Sequence, residues 1–250
     1  MADLMGYRAA FWVTSVLLLI SGVAVHLFVN EGQLHPSELA GRNEGHLWDG
    51  LLLVVRSPVL RAVMAVQMLG RLASRVAAPM LPLFIQELGT APNRLATESG
   101  LVEGSGALAS AGGATYLGRR SDQIGHCKML VLGLLGIAAF YVPQALVSGT
   151  LQLGLLQVVT GFLLAGVLAA INALLGNLVP EGRQVAVYGV HTTVNAVATA
   201  IGPSLGAAVA VWFGLRATFV VAAAFFLAAA GVALRLIPHS SYLPGSAKPV

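Results

Sequence analysis

Charge is what this sequence has least of. Asp, Glu, Lys and Arg together fill 10% of its 250 positions, against about 25% in an ordinary soluble domain. That scarcity excludes a conventional water-exposed surface, and a mean hydropathy of +0.82 excludes it again. Cysteine occurs once, at Cys127, which excludes an intrachain disulfide. Lysine occurs only at Lys128 and Lys248, so no buried lysine is available for a retinal Schiff base. The net charge of +4 comes without any Lys/Arg run, so nothing points to nucleic acid. His35 and His46 lack metal-ligand spacing, and no Gly-rich phosphate cradle follows a strand. The sequence therefore predicts no enzyme, no metal and no cofactor.

Long apolar runs are what it has instead. Several approach or exceed 18 residues, the length at which a bilayer-spanning helix becomes the default reading. The clearest are residues 10–29 and 217–237. The first is longer than a signal-peptide apolar core and is followed by no small-x-small cleavage site, so it reads as a retained helix. Polar interruptions divide the chain into helices near 9–29, 59–86, 98–117, 129–148, 152–178, 185–212 and 216–237. The predicted fold class is all-α, a polytopic transmembrane bundle of about seven spans. Within the long interruption, residues 46–56 are short and amphipathic, which predicts a helix along the membrane surface.

Basic residues orient the bundle. If residues 30–57 are cytoplasmic, Arg42, Arg56, Arg61, Arg119, Arg120, Lys128, Arg183, Arg235 and Lys248 all lie inside. Only Arg8, Arg94 and Arg216 then lie outside. The positive-inside rule selects this arrangement, with the C-terminus cytoplasmic. A short echo adds to it: "GYRAAF" at 6–11 and "GLRATF" at 214–219 each open a helix followed by a polar segment. Internal repeats of six helices are a common construction of secondary transporters. The echo makes residues 1–29 the last helix of a truncated N-terminal half and 30–57 a cytoplasmic linker. Residues 58–238 are then a complete six-helix half, and 239–250 a cytoplasmic tail.

The stretch "GRRSDQIGHCK" at 118–128 resembles the loop signature of the major facilitator superfamily, Gly-x-x-x-Asp-(Arg/Lys)-x-Gly-(Arg/Lys)-(Arg/Lys). Gly118, Asp122 and Gly125 match in type and spacing. Gln123, His126 and Cys127 depart from it, and Lys128 comes one place late. "APMLPLFIQELG" at 78–89 resembles the outer end of a half's first helix, and 172–189 the join between a half's fourth and fifth. Gly189, Ala198, Gly202-Pro203 and Gly206-Ala207 follow the spacing of the drug–proton antiporter motif, with Ala twice replacing Gly. The resemblance runs from residue 6 to about 237 and favours the multidrug-efflux branch. It implies a two-half transporter in a bacterial inner membrane, with a small lipophilic substrate and a proton as coupling ion. The implied partners are the lipid bilayer and a missing N-terminal half or a second copy.

The candidate residues carry two readings each. In the loop, Gly118 and Gly125 suit a sharp turn, and Arg119, Arg120 and Lys128 fix topology. Asp122 can accept from Arg side chains or a helix N-terminus; the resemblance implies that it latches the cytoplasmic side against the other half, and the alternative is that the basic residues here merely fix topology and contact lipid phosphates. Gly202, Pro203 and Gly206 predict a kinked, closely packed helix; packing is the reading preferred to a gate. Charges inside a membrane are expensive unless they face a cavity or a partner. Gln67, Arg71 and Arg75 recur at i, i+4, i+8, with Glu103 at similar depth to Arg75. Glu103 could carry a proton while the arginines hold an anionic group or tune its titration. Alternatively an Arg75–Glu103 pair only fixes helix register. Tyr188, His191, Thr192, Asn195 and Thr199 form a stripe that could line a cavity, joined by Gln157 and Asn172. A non-transporting remnant or partner subunit stands as the alternative function. A seven-helix receptor fits the glycine-rich short loops less well.

Overall fold

The computed structural model describes residues 2–28, 47–180 and 182–237. Among these no strand occurs, and each of the seven expected long helices is present. In chain order they are α1 (Ala2–Phe28), α2 (Leu47–Arg56), α3 (Pro58–Ala77), α4 (Leu81–Glu87), α5 (Leu95–Ile124), α6 (His126–Gln144), α7 (Thr150–Leu178), α8 (Gln184–Phe213) and α9 (Leu215–Leu236). The expected second span is divided, because a 3-10 turn at Ala78–Met80 separates α3 from α4. Pro79 and Pro82 sit in the first turns of the new segments, where a missing N–H is tolerated. Ser57 caps the start of α3 by accepting from the Leu60 N–H, with Pro58 in the first helical turn.

Five helical stretches are long and apolar enough to cross a membrane: Pro58–Glu87, α6, α7, α8 and α9. α5 is long enough at 30 residues, but its Gly, Ala and Ser content keeps it outside that set. The apolar stretch of α1, Phe11–Leu27, is shorter. The polar interruptions are also shorter than their composition suggests. Residues 118–128 do not form a loop: α5 continues through Ile124 and α6 begins at His126. Polar residues propagate a helix as well as apolar ones do once it has left the apolar layer. Only Gly125 breaks it, at φ +95°, a value that favours glycine. Gly118 lies inside the helix with no neighbour near its Cα, so the expected turning role falls to Gly125 alone. Between α8 and α9 the same device appears at Gly214, φ +86°.

The bundle is an open chain of contacts running α5–α7–α6–α9–α3–α8. Its apolar centre is aromatic: Phe84 packs on Phe219 at 5.0 Å between ring centroids, and Tyr141 on Phe226 at 5.3 Å. Those four rings tie α4, α6 and α9 together. Arg216 closes the end of this cluster. Its guanidinium lies over the Phe84 ring, donates to the Ala145 carbonyl at 3.0 Å and pairs with Glu87 at 3.8 Å. α2 does not stand apart from the bundle: Gly50 packs against the Ala186 backbone at the start of α8. The expected tail and most of the expected linker lie outside the described residues.

Candidate functional site

The α3–α8 crossing brings the separately predicted groups together. A Cβ on Gly202 would strike Arg75, and one on Gly206 would strike the Val76 backbone. Small residues at four-residue spacing let two helix backbones approach this closely, and Ala198 extends the strip as a fully buried residue. Gly202 and Gly206 thus lie where the two backbones come closest. α8 runs continuously through Pro203, and no break in the helix accompanies it.

One turn further along the crossing, the side chains become polar. Gln67 Nε2 donates to Asn195 Oδ1 at 2.7 Å, and Arg71 Nε donates to the same oxygen at 3.3 Å. Asn195 thus accepts from two groups presented at i and i+4 on α3. These bonds run through the apolar part of the span, where an unmet polar group is costly. Gln67 is almost wholly buried. Beside it lies a cleft of about 100 Å³, with Gln67, Arg71, Ser74 and Arg75 on one wall. The opposite wall is apolar: Leu164, Val167, Leu168 and Ile171 from α7, and Phe226 from α9.

Other members of the predicted set are placed differently. Glu103 is exposed on α5, and among the described residues no ion pair joins it to Arg75. The register-fixing pair is not formed, since the buried face of α5 carries Ser99, Val102, Gly106 and Gly113 instead. On α8, His191 lies one turn from Asn195, edge-on to Tyr188 at 6.3 Å. Its Nε2 is buried with no hydrogen-bond partner among the described residues. Thr192 turns its hydroxyl back to the Tyr188 carbonyl of its own helix. Asn172 is exposed on α7, next to Ile171 of the cleft.

Gln157 belongs to a second cavity of about 220 Å³, behind Leu164 and Phe226, which wall both spaces. Thr160 Oγ1 lies 3.3 Å from Gln157 Oε1 and 3.5 Å from Gln144 Nε2. Gln144 is fully buried and its Oε1 has no partner among the described residues. Sequence reasoning missed Ser74, Thr160 and Gln144. Ser74 had a signal, lying between Arg71 and Arg75 on the same helix, whereas Gln144 is a lone neutral residue within the expected 129–148 helix.

At the α5–α6 turn, Asp122 is exposed, as are Arg119, Arg120 and Lys128. Ser121 Oγ and His126 Nδ1 lie 2.8 Å apart, and His126 Nε2 lies 4.0 Å from Asp122. The carboxylate is thus free to meet a further group.

Comparison with known proteins agrees with this architecture. Residues 63–249 match the sequence model of the Major Facilitator Superfamily. YuxJ of Bacillus subtilis, an uncharacterized MFS-type transporter, is 30% identical over 92% of this chain and 58% of its own length. The multidrug resistance protein MdtG of Dickeya zeae is 28% identical over 89% of this chain and 54% of its own. A homolog of the multidrug efflux pump PmrA from Lactococcus lactis is 24% identical over 91% and 55%. The chain spans rather more than half the length of these relatives.

Proposed function

This chain belongs to the major facilitator superfamily, a family of integral membrane transporters rather than enzymes, and on that premise we propose that it supplies one half of a proton-coupled exporter of small lipophilic molecules. The observation that carries the reading is Gln67 and Arg71, both bonded to Asn195, on the wall of a mostly apolar cleft. A few polar groups set into an apolar cleft suit loosely specified ligands. The family's alternating access needs a second half rocking about a midplane site. Residues 58–238 form the six-helix half in this reading, and residues 1–29 a helix of the other. The bacterial inner membrane is the natural location, with the Gly125 turn and the C-terminus on the cytoplasmic side. Asp122 latches that side against the other half. Glu103, exposed on α5, serves as the proton carrier.

The relatives named as multidrug proteins support efflux as the direction. The test is export of the uncharged lipophilic dye N-phenyl-1-naphthylamine from whole-cell preparations that make this chain with and without the N-terminal half of a relative. Export that needs both pieces and collapses with the proton gradient is the expected result. Absence of export with either combination would instead favour a non-transporting partner subunit.

A further inference from the structure

The guanidinium groups of Arg71 and Arg75 point to a substrate class. Neither has a carboxylate partner among the described residues. Among the described residues, Arg71 spends only Nε, on Asn195, and its two terminal nitrogens make no further bond; Arg75, exposed on the cleft wall, is in no hydrogen bond or ion pair with them. Arg71 stands about 20 Å along a 30-residue span, counted at 1.5 Å per residue. That depth is far from headgroup phosphates. Two positive charges held there with no counter-ion among the described residues are costly, and such charges face a cavity or a partner. Here they face the cleft.

The wall opposite is Leu164, Val167, Leu168, Ile171 and Phe226. The cleft thus offers a double cationic fork on one side and an apolar bed on the other. Asn195 fixes the Arg71 head by holding Nε, which leaves the terminal nitrogens aimed as a pair. A planar fork of that kind matches the two oxygens of a carboxylate, or those of a sulfonate or phosphonate. A cationic drug would meet repulsion from both groups.

We infer that the cleft binds lipophilic anions: small molecules with one oxyanion head seated on Arg71 and Arg75 and an apolar body against α7 and Phe226. The inference deepens the transport reading and rests on it for its meaning, but binding can be measured without transport. Arg71 provides the bidentate contact, Arg75 adds charge from one turn away, and Gln67 and Asn195 keep the Arg71 fork in place.

The test uses the purified full chain in phosphatidylcholine nanodiscs, with empty discs subtracted for partitioning. It is titrated with 2-naphthoate and with the like-sized cation 2-naphthylmethylammonium. The anion is expected to bind about tenfold more tightly, the scale of one charge-assisted contact. Arg71→Gln removes the preference, whereas Arg71→Lys keeps the preference and lowers the affinity, because it retains charge but loses the fork. Equal binding of the two probes by the unaltered chain would overturn the proposal, whatever the variants do. So would an Arg71→Gln chain of normal helicity that keeps the preference. Adding phosphatidylglycerol to the discs separates the two sources of oxyanion: an unchanged affinity is expected, and a fall would overturn the assignment to a soluble anion in favour of lipid. Anion preference with no export of either N-phenyl-1-naphthylamine or 2-naphthoate would leave this inference standing and sink the transport reading. Export with no anion preference would do the reverse.

Discussion

The α3–α8 crossing and the α5–α7 crossing use one packing device for different ends. In both, glycine removes the side chain that would hold two backbones apart: Gly202 and Gly206 in the first, Gly106, Gly113 and Gly161 in the second. Both also bury polar side chains. At α5–α7 those groups are neutral, Gln157 and Thr160 with Gln144 of α6, and they bond among themselves. At α3–α8 Gln67 is buried while Arg71 is half-buried and Arg75 exposed, and the charge of the two arginines is left for the cleft. Close packing is thus a general solution to helix association in lipid, where burial from water gives no drive. Charge placement is what distinguishes a wall from a site.

Phe226 tests whether the two crossings are separate. Its ring is fully buried and stands between the two cavities. Phe226→Ala should merge them and cost about 3–5 kcal/mol, read as a large fall in the detergent melting temperature. A fall of only a degree or two would mean that Leu164 alone divides the spaces.

Gly161→Val comes next. A Cβ there meets the Gly106 backbone, which cannot yield as a flexible side chain can, so a loss of about 3 kcal/mol is expected. The anion preference of the cleft should survive in the fraction that folds. Gly202→Val should lose comparable stability and the preference together, because its new methyls press on Arg75. Loss of preference in both variants would break the distinction drawn between the crossings.

Much of this was legible in the sequence, and what was not has physical causes. The apolar runs located every long helix, since crossing a bilayer demands about 20 apolar residues whatever the tertiary contacts. Gln67, Arg71 and Asn195 were legible as polar residues at helical spacing, because intramembrane polarity is rare enough to be a signal by itself. Their meeting was not, because pairing across helices depends on the rotation of α3 against α8. For the same reason the Arg75–Glu103 pair was a reasonable expectation from depth and failed on facing. The extent of α5 was misread because Arg119, Arg120 and Asp122 are polar, and polarity marks the end of a membrane layer rather than the end of a helix. The neutral network was hidden, since Gln144 and Thr160 carry no charge and fall at no marked spacing.

Gln144 and Gln67 sharpen the comparison at smaller amplitude. Gln144 has one long bond to Thr160 and an unpartnered oxygen. Gln144→Leu should therefore be neutral or slightly stabilising, within about 1 kcal/mol, since a buried unmet acceptor is removed. Gln67→Leu removes a 2.7 Å bond and leaves Asn195 with Arg71 alone. It should destabilise by about 1 kcal/mol. Equal melting temperatures for the two variants would mean that the bonds at the charged crossing add nothing to the fold.

Asp122 carries the smallest effect on the fold and the largest gap between fold and function. Its carboxylate is 73% exposed, and the ion-pair distance it makes among the described residues is 4.0 Å, to His126. Surface ion pairs contribute little, and Asp122→Asn should change the melting temperature of this chain by less than the equivalent of about 0.5 kcal/mol. If the latch reading is right, the same substitution in a complete two-half assembly reduces export while leaving insertion and anion binding unchanged. The contrast with Gly161→Val is then complete. One position disturbs the fold without touching the charged cleft, and the other disturbs transport without touching the fold. Export at the unaltered rate in the Asp122→Asn assembly would remove the latch and leave this turn only the topological role of Arg119 and Arg120.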